Sequence, residues 1–163
     1  MDHFSFRKFC TCAALLFTCF FLLTGCSGGK KGGDVTIDPA ALAKELAEGS
    51  VTSEALTEMA SSMIAGSYYI SEDIYAGGSA WKGTGATACE VVVIEAKEAG
   101  KTGDVESKLK EHVASQSDLY ASYAPEEVEK LDKAVLKSTG KYTVLCVCDD
   151  TAKAEEILKK AGF

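Results

Sequence analysis

The strongest constraint on the fold is a run of β-branched residues between Ala88 and Ala96, which reads ACEVVVIEA. Consecutive residues of a strand point to opposite faces of its sheet, so the three valines place apolar side chains on both faces. This pattern is typical of a strand that is covered on both sides. We therefore expect this strand inside a sheet, with helices packed against it.

Apolar residues at helical spacing, together with capping residues, predict five helices around this strand. Asp38 is placed to cap the first helix, and Pro39 occupies its first position. The longest helix opens at Gly103 and is broken by Pro125. In chain order, the predicted helices cover residues 39–48, 52–65, 103–123, 125–133 and 151–161.

A β-hairpin is predicted near the C-terminus, where residues 134–138 and 141–148 flank Thr139-Gly140. Residues 77–85 are rich in glycine, which predicts a loop. Trp81 lies in this region and Tyr75 lies just before it. Aromatic side chains on a loop are suited to anchoring a partner. We therefore take Tyr75 and Trp81 as a candidate binding loop, and we expect Tyr69 in the core.

These elements predict an α+β fold in which helices pack on a small, largely antiparallel sheet. The simplest arrangement is a two-layer sandwich whose second face is open to partial covering by a helix. A chain of 163 residues with 47% hydrophobic and 25% charged residues fits one folded unit of ordinary size. We expect this single domain over residues 38–163, preceded by two segments of different composition, 1–25 and 26–37.

Residues 1–26 have the order of features found in an export signal. Arg7 and Lys8 give a positive start, and residues 13–23 carry no charge over a run too short for a membrane-spanning helix of about 20 residues. The run ends in Leu23-Thr24-Gly25-Cys26, which resembles the lipobox of bacterial lipoproteins. The resemblance implies that residues 1–25 are a cleaved signal peptide and that Cys26 carries a diacylglyceryl thioether. An ordinary secretory signal and an N-terminal membrane anchor are the alternatives.

Residues 26–37 follow as the lipidated cysteine and a flexible tether, because SGGKKGG is glycine-rich and has no apolar side chain. We expect the protein on the extracytoplasmic face of the cell membrane, held by fatty acids such as palmitate on Cys26 without spanning the bilayer. The formal net charge of −7 argues against a nucleic-acid partner, since phosphate binding needs a basic surface. The expected partners are the membrane and an unknown envelope protein or ligand.

A succession of motifs across the domain resembles a known family. It consists of the strand EVVVI, a helix containing Gln116, Tyr123-x-Pro125, Leu131 and Gly140-Lys141-Tyr142 before a closing strand. The family comprises small lipoproteins of Gram-positive anaerobes that carry an uncharacterised domain of unknown function, and the resemblance covers residues 38–162. It implies a lipoprotein with an α+β domain and brings no activity with it. The family often has an arginine four residues before the glutamine, where this chain has His112.

Three cysteines lie within the domain, and buried small hydrophobes are the simplest interpretation of them. Cys146 and Cys148 point to the same face of a strand, and with Cys89 and His112 they offer a Cys₃His set for zinc. Residues two apart on a strand are about 6.5 Å apart, which does not suit a zinc knuckle, so we predict no metal site. A disulfide from Cys89 to Cys146 or Cys148 fits better, because opposed strand residues lie about 4.5–5.5 Å apart. We take Cys89–Cys146 as the candidate pair.

The sequence contains no coherent catalytic set. His112 is the only histidine in residues 26–163, and no G-x-S-x-G elbow accompanies it. Gly83-Thr84-Gly85 precedes a strand instead of following one and lacks a third glycine, so no nucleotide cofactor is expected. We predict no enzymatic activity and no cofactor.

The predicted function is that of a non-enzymatic binding or interaction module of the cell envelope. One alternative is a small solute- or ligand-binding lipoprotein that serves a transporter or sensor. Another is a small envelope enzyme that uses His112.

Overall fold

The computed structural model describes residues 36–49 and 51–163. The predicted signal peptide, the predicted lipidation site Cys26 and the tether as far as residue 35 lie outside the described residues. Within the part that is described, no helix is both long enough and apolar enough to cross a membrane.

A five-stranded antiparallel sheet lies at the centre of the domain, in the order β1-β2-β3-β5-β4. The strands are β1 Thr57–Glu58, β2 Tyr75–Lys82, β3 Glu90–Ala96, β4 Val135–Thr139 and β5 Tyr142–Val147. The helices are α1 Pro39–Glu48, α2 Ser61–Ser67, α3 Thr102–Tyr123, α4 Val128–Asp132 and α5 Thr151–Ala161. The strand that was expected inside the sheet, β3, has a neighbour on each side.

Helices cover both faces of the sheet, which gives the domain three layers. On one face, α1 and α5 share a core with Val91, Val93 and Val144. On the other, α2, α3 and α4 share a core with Val92 and Ile94. We call these the α1–α5 face and the α2–α3 face. The predicted α+β class is confirmed, and the second face of the sheet is covered by helices as well.

The ends of several elements follow the signals in the sequence. Asp38 accepts a backbone N–H of the first turn at 2.9 Å and caps α1. Asp150 accepts the N–H of Lys153 at 2.9 Å and caps α5, which ends at Gly162 with a φ of +100°. This left-handed conformation suits glycine. The predicted hairpin is also present, as β4 and β5 joined through Gly140.

The predicted helix over residues 52–65 is wrong, because this segment forms β1 and α2 begins only at Ser61. Ser53 donates its N–H and its hydroxyl to Asp149 Oδ2 at 2.7 and 2.8 Å. The hydroxyl of Thr52 donates to a backbone carbonyl two residues later. Such side-chain bonds offer the backbone an alternative to a helix. The contact with Asp149 spans 96 residues, so helical periodicity carries no sign of it.

The predicted loop is wrong over residues 77–82, which belong to β2 and pair with β3. A Cβ at Gly78 would lie 2.6 Å from the carbonyl oxygen of Val93, so glycine is needed here for close approach of the backbones. Tyr75 and Trp81 therefore lie on a strand and not on a loop. Trp81 packs against the core of the α1–α5 face.

Candidate functional site

Glu90 is a charged residue at the start of an otherwise apolar strand. It lies on the α2–α3 face of β3, on the same side as Val92 and Ile94, and its side chain is only 2% exposed. Burying an unpaired carboxylate is strongly unfavourable, so the fold has to surround this one with partners.

The partners of Glu90 come from three different parts of the fold. His112 Nε2, on α3, lies 2.7 Å from Oε1. The hydroxyl of Tyr68, just after α2, donates to Oε2 at 3.0 Å. Lys82 Nζ, at the end of β2, lies 3.2 Å from Oε2. The Tyr68 and His112 rings also meet edge to face, with centroids 4.8 Å apart. We call these four residues the Glu90 cluster.

The partners keep the buried carboxylate ionised. Burial alone would raise the pKa of Glu90, but the hydrogen bond and charge of His112, the charge of Lys82 and the hydrogen bond of Tyr68 hold that pKa below its usual range. Burial, followed by the nearby carboxylate, raises the pKa of the Tyr68 hydroxyl. The hydroxyl therefore stays protonated and remains a donor to Glu90.

Local sequence explains why these side chains meet. His112 follows Val105 by seven residues and Leu109 by three, so all three lie on the face of α3 that packs on the sheet. Lys82 is the cross-strand partner of Glu90 in the β2–β3 ladder, and such partners are in contact range.

A cavity of about 390 Å³ adjoins the Glu90 cluster, and His112 and Lys82 form part of its wall. Its other polar lining groups are Lys108, Glu111, Gln116 and two serines, and one aromatic residue, Tyr69, completes the wall. Among the described residues, no group forms a hydrogen bond with Nδ1 of His112.

The expectation that Tyr69 lies in the core is wrong. Tyr69 is 80% exposed, whereas its neighbour Tyr68 is fully buried. At the end of α2, the N–H of Tyr69 donates to the Gly66 carbonyl and that of Ile70 to the Ala65 carbonyl. This is the bonding pattern of a helix end in which the residue after the helix turns left-handed. Tyr69 has a φ of +53°, and no other non-glycine residue in the described chain has a positive φ.

The three cysteines of the domain are buried free thiols on the α1–α5 face. His112 lies on the opposite face, so the zinc set is not assembled, and the described residues contain no other group suited to a metal. The β3–β5 ladder pairs Val91 with Cys146, which places Cys89 level with Cys148. This register favours Cys148 over Cys146 as the partner of Cys89, and a disulfide stays a prediction. Burial raises the pKa of Cys89 to about 11, so this thiol is protonated at neutral pH.

Lys130 is the centre of a second ionic group. Its Nζ lies 3.0 Å from Glu127 and 2.9 Å from Asp149. Glu127 is buried and accepts the N–H of Ala88 at 2.9 Å, while Asp149 accepts from Ser53. A cavity of about 310 Å³ lies beside this group. Lys130 and Glu127 are neighbours in sequence, but Glu127 also holds Ala88, Lys130 holds Asp149, and Asp149 holds Ser53. Because these contacts join distant segments of the chain, we interpret the group as a structural cross-link.

A larger cavity, of about 530 Å³, lies between α3, α4 and the β4–β5 hairpin. Its lining includes the buried apolar side chains Leu131 and Leu145. In the described chain, no ion pair joins the charged residues that line it to one another. We therefore place the candidate site at the cavity over the Glu90 cluster, where a buried charge and an unusual backbone conformation coincide.

His112 was expected from the sequence without a partner, and Glu90 was not expected as a site residue. A usable signal was present, because a carboxylate in a strand predicted to be buried on both faces must find a cation. Tyr69 had no such signal, since the left-handed position after a helix is usually filled by glycine or asparagine.

The fold and the site define a three-layer α+β domain with a buried ionic cluster beneath a cavity. Residues 49–148 match the family described as a domain of unknown function, DUF4358, so the chain belongs to this family. The matched range contains all five strands and all four residues of the Glu90 cluster. The predicted resemblance to an uncharacterised domain is thereby confirmed. No curated protein and no solved structure matches the chain.

Proposed function

We propose that this protein is a lipoprotein held on the extracytoplasmic face of the cell membrane by a lipid on Cys26, and that its domain is a non-enzymatic binding module of the cell envelope. The observation that carries the anchor is the order of features in residues 1–26. Arg7 and Lys8 precede an uncharged run, which ends in Leu23-Thr24-Gly25-Cys26. The glycine-rich residues 27–33 supply a tether between the lipid and the domain.

The cavity over the Glu90 cluster is the binding site in this proposal. Its volume of about 390 Å³ falls in the range of small-ligand pockets, about 300–1,000 Å³. The buried hydrogen bond between Glu90 and His112 fixes one wall of the cavity, so the polar groups of that wall are held in place before a ligand arrives.

A binding role is favoured over catalysis by the surroundings of His112. A serine nucleophile needs a hydrogen bond to its base. Ser67 and Ser115 line the cavity, but in the described chain neither forms a hydrogen bond with His112.

The second candidate function is a solute-binding lipoprotein that serves a transporter or sensor. The observation that favours it is the same cavity, because a volume of about 390 Å³ suits a small molecule better than a protein surface. The two candidates differ in the size of what occupies the cavity.

The anchor is tested by producing the full-length chain with an alkyne analogue of palmitate in a bacterial host that processes lipoproteins. We expect the label on the membrane-bound protein, loss of the label in Cys26→Ser, and full label in the matched control Cys19→Ser. A wild-type protein that carries no label, or a Cys26→Ser variant that keeps it, would contradict the anchor.

The binding role is tested in intact cells with a photo-crosslinking amino acid at Gln116, which lines the cavity, or at Lys159, which is exposed on α5. A crosslinked protein obtained from position 116 and not from position 159 supports an envelope-protein partner. A bound mass of a few hundred daltons in native mass spectrometry, with no crosslinked protein, supports the solute-binding candidate. If neither a crosslinked protein nor a bound mass is found, a binding role at this cavity is contradicted.

A further inference from the structure

The cavity over the Glu90 cluster combines an exposed aromatic ring with side chains that donate and side chains that accept hydrogen bonds. Tyr69 is 80% exposed at its rim. Gln116 and the serines can donate and accept, and Glu111 can accept. Within residues 36–49 and 51–163, no group bonds to the Nδ1 of His112. A ligand that fits these groups needs an apolar surface on one side and many hydroxyl or amide groups on the other.

The strained backbone conformation at Tyr69 favours a role of its ring in ligand binding over a role in stability. Its φ of +53° is a conformation that bulky residues rarely adopt. The position after a helix end of this kind is usually glycine, which would be the less strained choice. Strained residues of this sort cluster at ligand sites, where the surrounding structure holds them in place.

The positive groups of the cavity already face carboxylates, which argues against a simple anion site. Lys82 Nζ lies 3.2 Å from Glu90, and Lys108 Nζ donates to Glu111 at 2.8 Å. The polar wall is therefore close to charge balance. Its remaining hydrogen-bonding capacity suits neutral hydroxyl groups better than a phosphate or carboxylate.

We propose that this cavity binds a saccharide, with the Tyr69 ring stacked on the C–H face of one sugar and the polar groups of α3 bonded to its hydroxyls. The C–H groups of a sugar ring are weakly positive, and the face of an aromatic ring is negative, so the two surfaces are complementary. This inference rests on the proposed binding role and assigns the ligand class for the same site.

The test uses the full-length lipidated protein in micelles of lauryldimethylamine oxide, a detergent without a sugar headgroup. The probes are glucose, N-acetylglucosamine, galacturonic acid, maltose and chitobiose, and ligand-observed NMR titration gives a dissociation constant for each. We expect saturation transfer to at least one of the four neutral sugars, and transfer to galacturonic acid alone would indicate an anion site. No transfer to any of them would overturn the proposal.

Four variants locate the binding. Tyr69→Ala is expected to weaken it about fivefold to tenfold, and Tyr69→Phe to change it less than about twofold, because the ring face makes the contact. Tyr123→Ala is the matched control, since Tyr123 is 54% exposed on α3 and does not line the cavity. Tyr69→Gly should weaken binding as much as Tyr69→Ala does, while its melting temperature stays at or above the wild-type value, which separates lost stacking from lost folding. Equal affinity in wild type and Tyr69→Ala would overturn the proposed contact.

Two further arms separate the sources of the ligand and the competing chemistry. Co-sedimentation with insoluble peptidoglycan that is abolished by Tyr69→Ala identifies a wall glycan, whereas binding of free sugars alone identifies a solute. Acetate and phosphate are titrated in parallel, and if they bind at the cavity while neutral sugars do not, the site is an anion site and the saccharide proposal is wrong. A protein that takes up the palmitate label but binds no sugar refutes this inference and leaves the anchor intact.

Discussion

The two faces of the central sheet bury different kinds of side chain, although helices cover both of them. The core of the α1–α5 face contains aliphatic side chains, thiols and one tyrosine, and the charged side chains of Lys130 and Asp149 reach it only at its edge, at the Sγ of Cys89. The core of the α2–α3 face borders on Glu90, which is buried and held by His112, Tyr68 and Lys82. The same strand, β3, supplies both faces.

The difference teaches where stability and binding are placed in this domain. Apolar burial on the α1–α5 face gains free energy without depending on exact partners. A buried charge gains little by being present, but removal of one partner leaves it uncompensated. The α2–α3 face therefore depends on each member of its cluster, and the candidate site lies on that side.

The largest effect is expected from His112→Ala, which removes the closest hydrogen-bond partner of Glu90. The free energy of unfolding should fall by about 3–5 kcal/mol in urea denaturation at pH 7, because a carboxylate is left buried with too few partners. The double variant Glu90→Gln, His112→Gln is the control, since it removes the charge and keeps hydrogen-bonding groups. It should lose less stability than the single variant. If both variants lose the same amount, the dependence of this face on paired charge is refuted.

Leu46→Ala tests the other face and should lower the free energy of unfolding by about 3 kcal/mol. Leu46 is fully buried on α1, and the loss combines the transfer of its side chain with the cavity left behind. Exposed Glu48→Ala on the same helix should change stability by less than about 0.5 kcal/mol. Leu46→Ala should leave sugar binding unchanged at a temperature where the variant stays folded. Weakened binding under those conditions would show that the two faces are coupled.

Gly78→Ala tests how closely β2 must approach β3. This variant should lower the free energy of unfolding by about 1–3 kcal/mol. A Cβ at this position would lie 2.6 Å from Val93 O and 3.0 Å from Ile94 Cδ1, so the backbone has to move. Gly77→Ala is the matched control, because a Cβ there meets nothing within 4 Å. Thermal denaturation should show a clear loss for the first variant and almost none for the second. Equal losses would mean that backbone freedom, and not close packing, explains the glycines.

The smallest effect concerns acid stability at Asp149. Burial alone would raise the pKa of Asp149, but hydrogen bonds from Lys130 and Ser53 lower it to about 2. A carboxyl whose folded pKa is below its unfolded value of 3.8 stabilises the fold above that pH, and the contribution is lost as pH falls to about 2. The contribution should stay below about 1 kcal/mol, because the side chain is 32% exposed.

Chemical denaturation between pH 5 and pH 2 measures this contribution. Asp149→Asn should make the unfolding free energy less dependent on pH in that window, while exposed Asp118→Asn should follow the wild type. An unchanged profile for Asp149→Asn would mean that the Lys130 group does not stabilise the fold through charge.

Several elements could be predicted because their signals are local. The β3 valines, the Asp38 cap and the turn at Gly140 each act within a few residues, and the structure has them where they were expected. The short strand β1 and the glycine-containing strand β2 could not be predicted in this way. Their conformations depend on Asp149 and on the backbone of β3, which are distant in sequence from the segments they hold.

The candidate site also combines a residue that the sequence indicates with contacts that only the folded chain makes. His112 was a candidate from its rarity alone, but Glu90 and His112 are 22 residues apart, and no spacing rule joins a strand residue to a helix residue at that distance. Tyr69 was misplaced because the pair Tyr68-Tyr69 follows a helix end, where a single left-handed residue reverses which ring enters the core. The hydrogen bonds that set this geometry are not visible as hydrophobic periodicity.

The sequence by itself determined the class of the fold, the buried central strands and most helix ends, because hydrophobic periodicity and capping depend on neighbouring residues. The proposal of a lipid anchor also rests on the sequence alone, because it depends on the order of features within residues 1–26. Only the tertiary structure decided which faces the helices cover, that Glu90 meets His112, Tyr68 and Lys82, and that Tyr69 stands beside the resulting cavity. The physical reason is that a buried charge and a strained backbone are stabilised by groups from distant segments, and the sheet brings those segments together only when the chain is folded.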